Sequence, residues 1–282
     1  MTVTFLGTAA ANAYPEAFCQ CNNCERARML GGPSIRKRSA VLIHDDLLID
    51  VGPDIMTASN LHGRSLSNVR YCLQTHGHAD HLDASHFLSR SPGFGVVGAP
   101  RLHFYASPGT LRRAAHLLER DCAPAGFLDP EVGNRLNVET HQIEARQSFI
   151  IGRYQVTTFR ANHDPAVDPL LYAVQMNGYS LFYGTDTDAL AEETWQGFHH
   201  HKLRFDLVIL DHTYGTSKVS NDHLSAYQFI EHIARMREEG LLADKARIFA
   251  THIAHDANPA HPELVSFAAQ YNYEIAYDGL TV

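Results

Sequence analysis

The stretch that most constrains this chain is "THGHADHLD" at residues 75–83, which sets His76, His78, Asp80 and His81 within six positions. It follows directly on "VRYCLQ", an apolar run that reads as a buried strand. In an extended segment residues two apart point the same way, so His76 and His78 can meet one metal ion. The turn that follows can return Asp80 and His81 toward a second ion beside the first. Imidazole suits zinc, manganese and iron, and a carboxylate suits the harder end of that range. A fold that uses this loop must hold it at the end of a strand and bring further ligands to it from elsewhere.

The remaining chain offers such ligands in matching contexts. His163 ends the run "QVTTFRANHD", Asp186 sits in "FYGTDTD" after another apolar run, and His252 ends "ARIFATH". Each is a ligand-type residue at the carboxyl end of a predicted strand, where metals and ligands collect in layered α/β folds.

The pattern around these residues is strand-rich. "VTFLG", "SAVLIH" and "LLIDVG" are short apolar runs bounded by Gly, Pro and Asp. "DIMTASNLHG" reads as a helix stopping at Gly63, and "SPGTLRRAAHLLERD" as one opened by a Ser cap and Pro. A second block, "RYQVTTFRANHD", "LLYAVQMNG", "YSLFYGTD" and "FDLVILDHTYG", is again strand-like. Helices around 222–238 and 261–270 then alternate with the strands "ARIFATH" and "YEIAYDG". Two strand blocks, each with its own helices, predict sheet packed on sheet with helices outside. No repeat, low-complexity tract or polar linker divides the 282 residues, so one domain is expected.

The order His-x-His-x-Asp-His, a distant His, an Asp after a "GTD" turn and a last His after a strand resembles the metallo-β-lactamase superfamily. The resemblance runs over nearly the whole chain and includes "LLIDVG", whose Asp50 matches the family's supporting aspartate. It implies an αββα sandwich with a two-metal centre, of zinc or manganese, at one edge between the sheets. His76, His78 and His163 would then hold one metal, Asp80, His81 and His252 the other, and Asp186 would bridge them. These residues point to the scaffold and its centre, and leave the substrate open.

A second constellation is "FCQCNNC", with Cys19, Cys21 and Cys24, in a loop at about residues 15–30. A Cys-x-Cys-x2-Cys motif near the start, followed by a helix containing Ala-Arg, is similar to two branches of that superfamily. One is the phosphoribosyl 1,2-cyclic phosphate phosphodiesterases of the carbon–phosphorus lyase pathway. The other is the B protein of pyrroloquinoline-quinone biosynthesis. In the phosphodiesterases a second His near the last metal-binding His completes a structural zinc site, and here "THIAHD" offers His255. Three thiolates and one imidazole make a closed tetrahedral site with no open position, hence a structural one. His261 is the alternative fourth ligand, and a redox-active Cys21–Cys24 pair is the alternative use of the thiols. Cys72 and Cys122 read as buried thiols, and the run His199, His200, His201 as a solvated loop.

A pair of metals would activate a water, with Asp80 and Asp186 orienting it, and the phosphodiesterase resemblance implies a histidine as general acid. "SNDHLSA" supplies His223 for that role, with His212 in "LDHTYG" as the reserve. Arg36, Lys37, Arg38, Arg160 and Lys218 are the cations available to a phosphate, and nothing in their spacing selects among them.

Composition narrows the partners. With 31 acidic and 23 basic residues the net charge is −8, which opposes long-range steering of nucleic acid. No apolar stretch reaches the roughly 20 residues of a membrane span, and "MTVTFLGTAA" lacks the basic then apolar pattern of a secretory signal. These features lead one to expect a cytoplasmic protein, and the resemblance to the phosphodiesterases implies an enzyme acting on a small phosphorylated molecule, a cyclic sugar phosphodiester such as 5-phosphoribosyl 1,2-cyclic phosphate. A quinone-pathway-like protein and a non-catalytic metal carrier are the alternatives. A homodimer stays open, without a residue that argues for it.

Overall fold

In the computed structural model of the chain, residues 1–216 and 222–282 are described. Thirteen strands and eight α-helices are found among them. The first sheet runs β1 (Val3–Gly7), β2 (Ala40–Ile43), β3 (Leu47–Ile49), β4 (Tyr71–Leu73), β5 (Leu102–Ala106) and β6 (Val138–Gln142), in that spatial order. The second holds β7 (Ser148–Ile151), β8 (Tyr154–Arg160), β9 (Leu170–Met176), β10 (Tyr179–Gly184), β11 (Phe205–Asp211), β12 (Leu242–Thr251) and β13 (Glu274–Ile275), with β7 and β13 at its edges. The first sheet is antiparallel from β1 to β3 and parallel from β3 to β6; the second is antiparallel from β7 to β10 and parallel from β10 to β13.

The strand sequences are continuously apolar because both faces of each sheet are covered. In β2, Val41 and Ile43 face a core shared with Tyr172, Val174, Leu207 and Ile209 of the second sheet. Their neighbours Ala40 and Leu42 face outward, onto helices α2 (Ile55–Leu61), α3 (Ser85–Ser89), α4 (Pro108–Leu117) and α5 (Pro130–Leu136). The far face of the second sheet is covered by α1 (Asn22–Leu30), α6 (Glu192–His200), α7 (Ala226–Glu238) and α8 (His261–Ala268), through residues such as Trp195, Phe198, Phe229 and Leu264. The result is the αββα sandwich that the sequence leads one to expect. No helix among the described residues is long and apolar enough to cross a membrane.

Two local readings need correction. Helix α7 starts at Ala226, not near 222, because Ser225 and Gln228 form a reciprocal capping box that fixes its first turn there. His223 accordingly lies in the loop before the cap. His199 and His200 belong to the last turn of α6 and His201 caps it, so the histidine run ends a helix where a loop was expected.

Candidate dinuclear metal centre

The loop after β4 leaves the first sheet at the same end of the sandwich as the segments that follow β8, β10 and β12 of the second. The two sheets are tied at this end. The Leu170 N–H donates to Thr75 O at 2.9 Å, and the Tyr172 hydroxyl donates to Gln74 O at 2.5 Å. Asp50, Asp186 and His252 all adopt left-handed backbone, with φ of 68°, 57° and 58°. Such a conformation is costly for residues other than glycine and collects at functional sites.

Two groups of ligand atoms meet around Asp186: one contains His76, His78 and His163, the other Asp80, His81 and His252. Within each group the donor atoms lie within 4.8 Å of one another. His78 Nδ1 is 3.1 Å from His163 Nε2, and His81 Nε2 is 3.3 Å from His252 Nε2. Asp186 Oδ2 lies 3.0 Å from His76 Nε2 and 3.1 Å from His81 Nε2.

The opposite ring nitrogens are anchored. His81 Nδ1 donates to Asp50 Oδ2 at 2.8 Å, His252 Nδ1 to Thr213 Oγ1 at 2.8 Å, and His76 Nδ1 to Thr75 Oγ1 at 3.0 Å. His78 Nε2 donates to Asp164 Oδ2 at 3.1 Å. Each of these four imidazoles thus spends one nitrogen on a fixed oxygen and aims the other inward, as metal-binding histidines do. His76 Nε2 and Asp186 Oδ1 are buried and make no well-aligned hydrogen bond, only close contacts, to Asp186 Oδ2 at 3.0 Å and to His223 Nδ1 at 3.1 Å respectively. Buried polar atoms without partners are costly unless something else satisfies them. This donor set, with its orphaned inward atoms, fits two divalent cations.

The electrostatics agree. Burial disfavours charge on Asp186, yet the surrounding imidazoles, His252 and His76 first, outweigh it and hold the carboxyl well below its usual range. Asp80 is likewise held low, by His81 and His252 against its burial. Burial and the neighbouring His81 bring His76 down to about 4, so its inward nitrogen carries no proton at neutral pH. His81 goes the other way: burial is overcome by Asp80 and Asp50, and its proton would have to leave when a cation binds.

The cleft over these atoms has a volume of about 320 Å³. Its walls include residues 10–13, Tyr214, His223 and residues 254–256, and no Lys or Arg lines it among the described residues. His223 Nδ1 lies 3.1 Å from Asp186 Oδ1 and 3.4 Å from Asp211 Oδ2. Burial would lower its pKa, but the bond to Asp211 and the charges of Asp211 and Asp186 raise it to about 9. His212, the reserve acid, is fully buried against the Tyr273 hydroxyl at 3.0 Å and does not line the cleft.

The expected phosphate cations are committed elsewhere. Arg36 is buried and bonds Thr8, the Ala276 carbonyl and His261. Lys37 pairs with Asp278 at 3.5 Å and Arg38 with Asp54 at 3.1 Å. Arg160 lines a separate groove with Arg146, and Lys218 lies outside the described residues. What the sequence reading missed is Asp211, which accepts bonds from the amides of Asp186, Thr213 and Leu224 and from the Thr213 hydroxyl. It sits one position before His212, the residue that drew attention, and a carboxylate ending a buried strand was the available signal.

Cys19, Cys21, Cys24 and His255 form a separate group of ligand atoms. His255 Nδ1 is 3.4 Å from Cys24 Sγ and 3.8 Å from Cys21 Sγ. Burial alone would raise the Cys21 thiol, but the His255 ring and the Cys24 amide lower it to about 6. A zinc ion with Zn–S near 2.3 Å spaces its ligands about 3.5–3.8 Å apart, so the set fits one. His261 is not among these atoms: it faces the Arg36 guanidinium at 2.8 Å.

The sequence profile of the beta-lactamase superfamily domain matches residues 46–253. The chain belongs to that superfamily. Among solved structures, this superfamily member is similar to a new diphosphatase from the PhnP family, at 21% identity and a TM-score of 0.74 over 100% of this chain and 96% of the other. It is also similar to Zn²⁺-bound PqqB from Methylobacterium extorquens, at 17% identity and a TM-score of 0.69 over 100% and 99%. The short form of human tRNase Z follows at 17% and 0.66 over 100% and 98%. No curated protein matches it by sequence. The metallo-β-lactamase fold expected from the histidine pattern is thereby shown, and with it a scaffold for divalent metal.

Proposed function

We propose that this member of the superfamily is a metal-dependent hydrolase of a small phosphodiester, with 5-phosphoribosyl 1,2-cyclic phosphate or a related sugar phosphate as substrate. The observation that carries the reading is the place of His223. It stands in the wall of the cleft, beside the carboxylate shared by both ligand groups, with its ring held by Asp211 and Thr213. A hydrolase that expels a poor alkoxide leaving group needs a proton donor at that position.

In this reading His76, His78 and His163 would hold one zinc or manganese ion and Asp80, His81 and His252 the other, with Asp186 available to both. Such a pair of ions supplies an activated water and neutralises charge on the phosphoryl oxygens. Asp80 and Asp186 accept the hydrogen bonds that orient the attacking oxygen. His223 gives its proton to the leaving alkoxide and is held in place by Asp211. The cysteine group with His255 holds a third, structural zinc, and the setting is cytoplasmic. Cleft volume supports a small substrate, and the net charge of −8 supports one other than nucleic acid.

Phosphorus NMR of the cyclic phosphate incubated with manganese-loaded protein tests the reading. Opening to ribose 1,5-bisphosphate, absent in Asp80→Ala, is the expected result. Cleavage of bis(p-nitrophenyl) phosphate alone would keep the reaction and discard the sugar. Because a similar structure is that of a diphosphatase, a small diphosphate ester belongs in the same assay. Turnover of none of the three would overturn the proposal.

A further inference from the structure

A third set of metal-type side chains lies outside the cleft. On the parallel pair β5–β6, His103 is registered against Glu139 and Tyr105 against His141. His103 Nδ1 and His141 Nε2 are 3.0 Å apart. Glu139 Oε1 is 3.6 Å from His141 Nε2, and its Oε2 is 3.8 Å from His103 Nδ1. None of the three lines the cleft or belongs to the other ligand groups.

We infer that His103, Glu139 and His141 form a further zinc-binding site, which clips the edge strand β6 to β5. Tetrahedral zinc with bonds of about 2.0–2.2 Å sets its ligand atoms roughly 3.3–3.5 Å apart. The three separations here bracket that value, so small side-chain rotations admit the ion. The rings are already held by packing. His141 stacks on Tyr105 at 4.4 Å and 13°, and His103 lies against Tyr71 at 5.8 Å. Preset imidazoles lose little freedom on binding. All three side chains are half-buried, so an ion can reach them from solvent and water can complete the fourth position. Two imidazoles and a carboxylate are a donor set for a borderline cation such as zinc; magnesium and calcium prefer oxygen alone.

Another use of the same atoms competes with this one. An imidazole N–H of one histidine could simply bond the other ring, while Glu139 pairs with Arg101 at 3.2 Å. Zinc loading separates the two. Wild type, His141→Ala, His103→Ala and Glu139→Gln are each equilibrated at micromolar free zinc, and bound zinc per chain is counted by mass spectrometry. Wild type should hold one zinc more than each histidine variant, and Glu139→Gln should weaken that ion at least tenfold. Hydrolytic turnover should be unchanged in all of them, because none of the three touches the cleft. Should a histidine variant fail to fold, the half-buried Glu139→Gln still reports by titration against a chromophoric chelator. Equal zinc in all four proteins, or a difference only above millimolar zinc, would overturn the site.

Discussion

At the scale of single residues, the loop before α7 and the end of β11 decide what the centre can do. His223 is within reach of Asp186, Asp211 and Thr213, and it shares a group of ligand-distance atoms with Asp186, Asp211 and His252. It could therefore serve as an acid or as an additional ligand, and leaving-group chemistry tells these apart. An acid matters when the departing oxygen is a basic alkoxide and matters little for p-nitrophenolate. His223→Ala should lower kcat by roughly 10²–10⁴-fold on the cyclic phosphate. The loss should be only a few-fold on bis(p-nitrophenyl) phosphate, with metal content unchanged. Equal losses on both substrates, together with a lost metal ion, would make His223 a ligand.

At the scale of elements, the site depends on loops whose shape is set by neighbouring backbone. Gly52 follows β3, and a Cβ there would stand 2.8 Å from Asp80 O. Gly52→Ala should push the Asp80–His81 turn out of register, reducing affinity for the metal those residues would hold; calorimetric titration of the apoprotein would show it. Intact affinity would mean that the turn can yield. The cysteine loop is set the same way. Ile253 N–H donates to Thr8 O at 2.9 Å, Asn23 Nδ2 donates to His255 O at 2.9 Å, and Cys21 caps α1. Cys21→Ser should release one zinc and lower Tm while His76, His78 and Asp80 keep theirs. Unchanged stability with lost activity would argue against a structural role. These elements also show what the sequence could convey. The histidine loop and most of the inner strands were legible because a strand buried on both faces has an unmistakable apolar run; β5, "LHFYA", alternates in burial and went unread. The polar edge strand β6, "VETHQ", was not legible either, since among the described residues only β5 pairs with it and its composition carries no period. The start of α7 was missed because its signal is a single capping box. Asp211 was missed because its role exists only once β10 and β11 are side by side.

At the scale of the whole molecule, neither sheet owns the centre. The first contributes His76, His78, Asp80 and His81, and the second contributes His163, Asp186 and His252, so the spacing of these candidate ligands depends on how the sheets lie on each other. Two kinds of contact fix that relation and can be separated. Ile209 packs in the shared apolar core through an aliphatic side chain that can make no polar contact to a ligand support. Tyr172 also lies in that core, but its hydroxyl reaches across to the Gln74 carbonyl. The Gln74 side chain in turn donates to Asp50 and to the His76 and His81 carbonyls. Ile209→Ala should cost about 2–5 kcal/mol of stability, as buried large-to-small changes do, with kcat unaffected at temperatures where the protein is folded. Tyr172→Phe keeps the ring and leaves one buried carbonyl unpaired, for about 1–3 kcal/mol, and it loosens the Gln74 support beneath both ligand groups. Its kcat should fall and its metals should be lost at lower chelator concentration than in Ile209→Ala, although it is the milder core change. If activity instead follows stability in both variants, ligand spacing is set by the bulk of the core, and the Tyr172–Gln74 bridge is one packing contact among many.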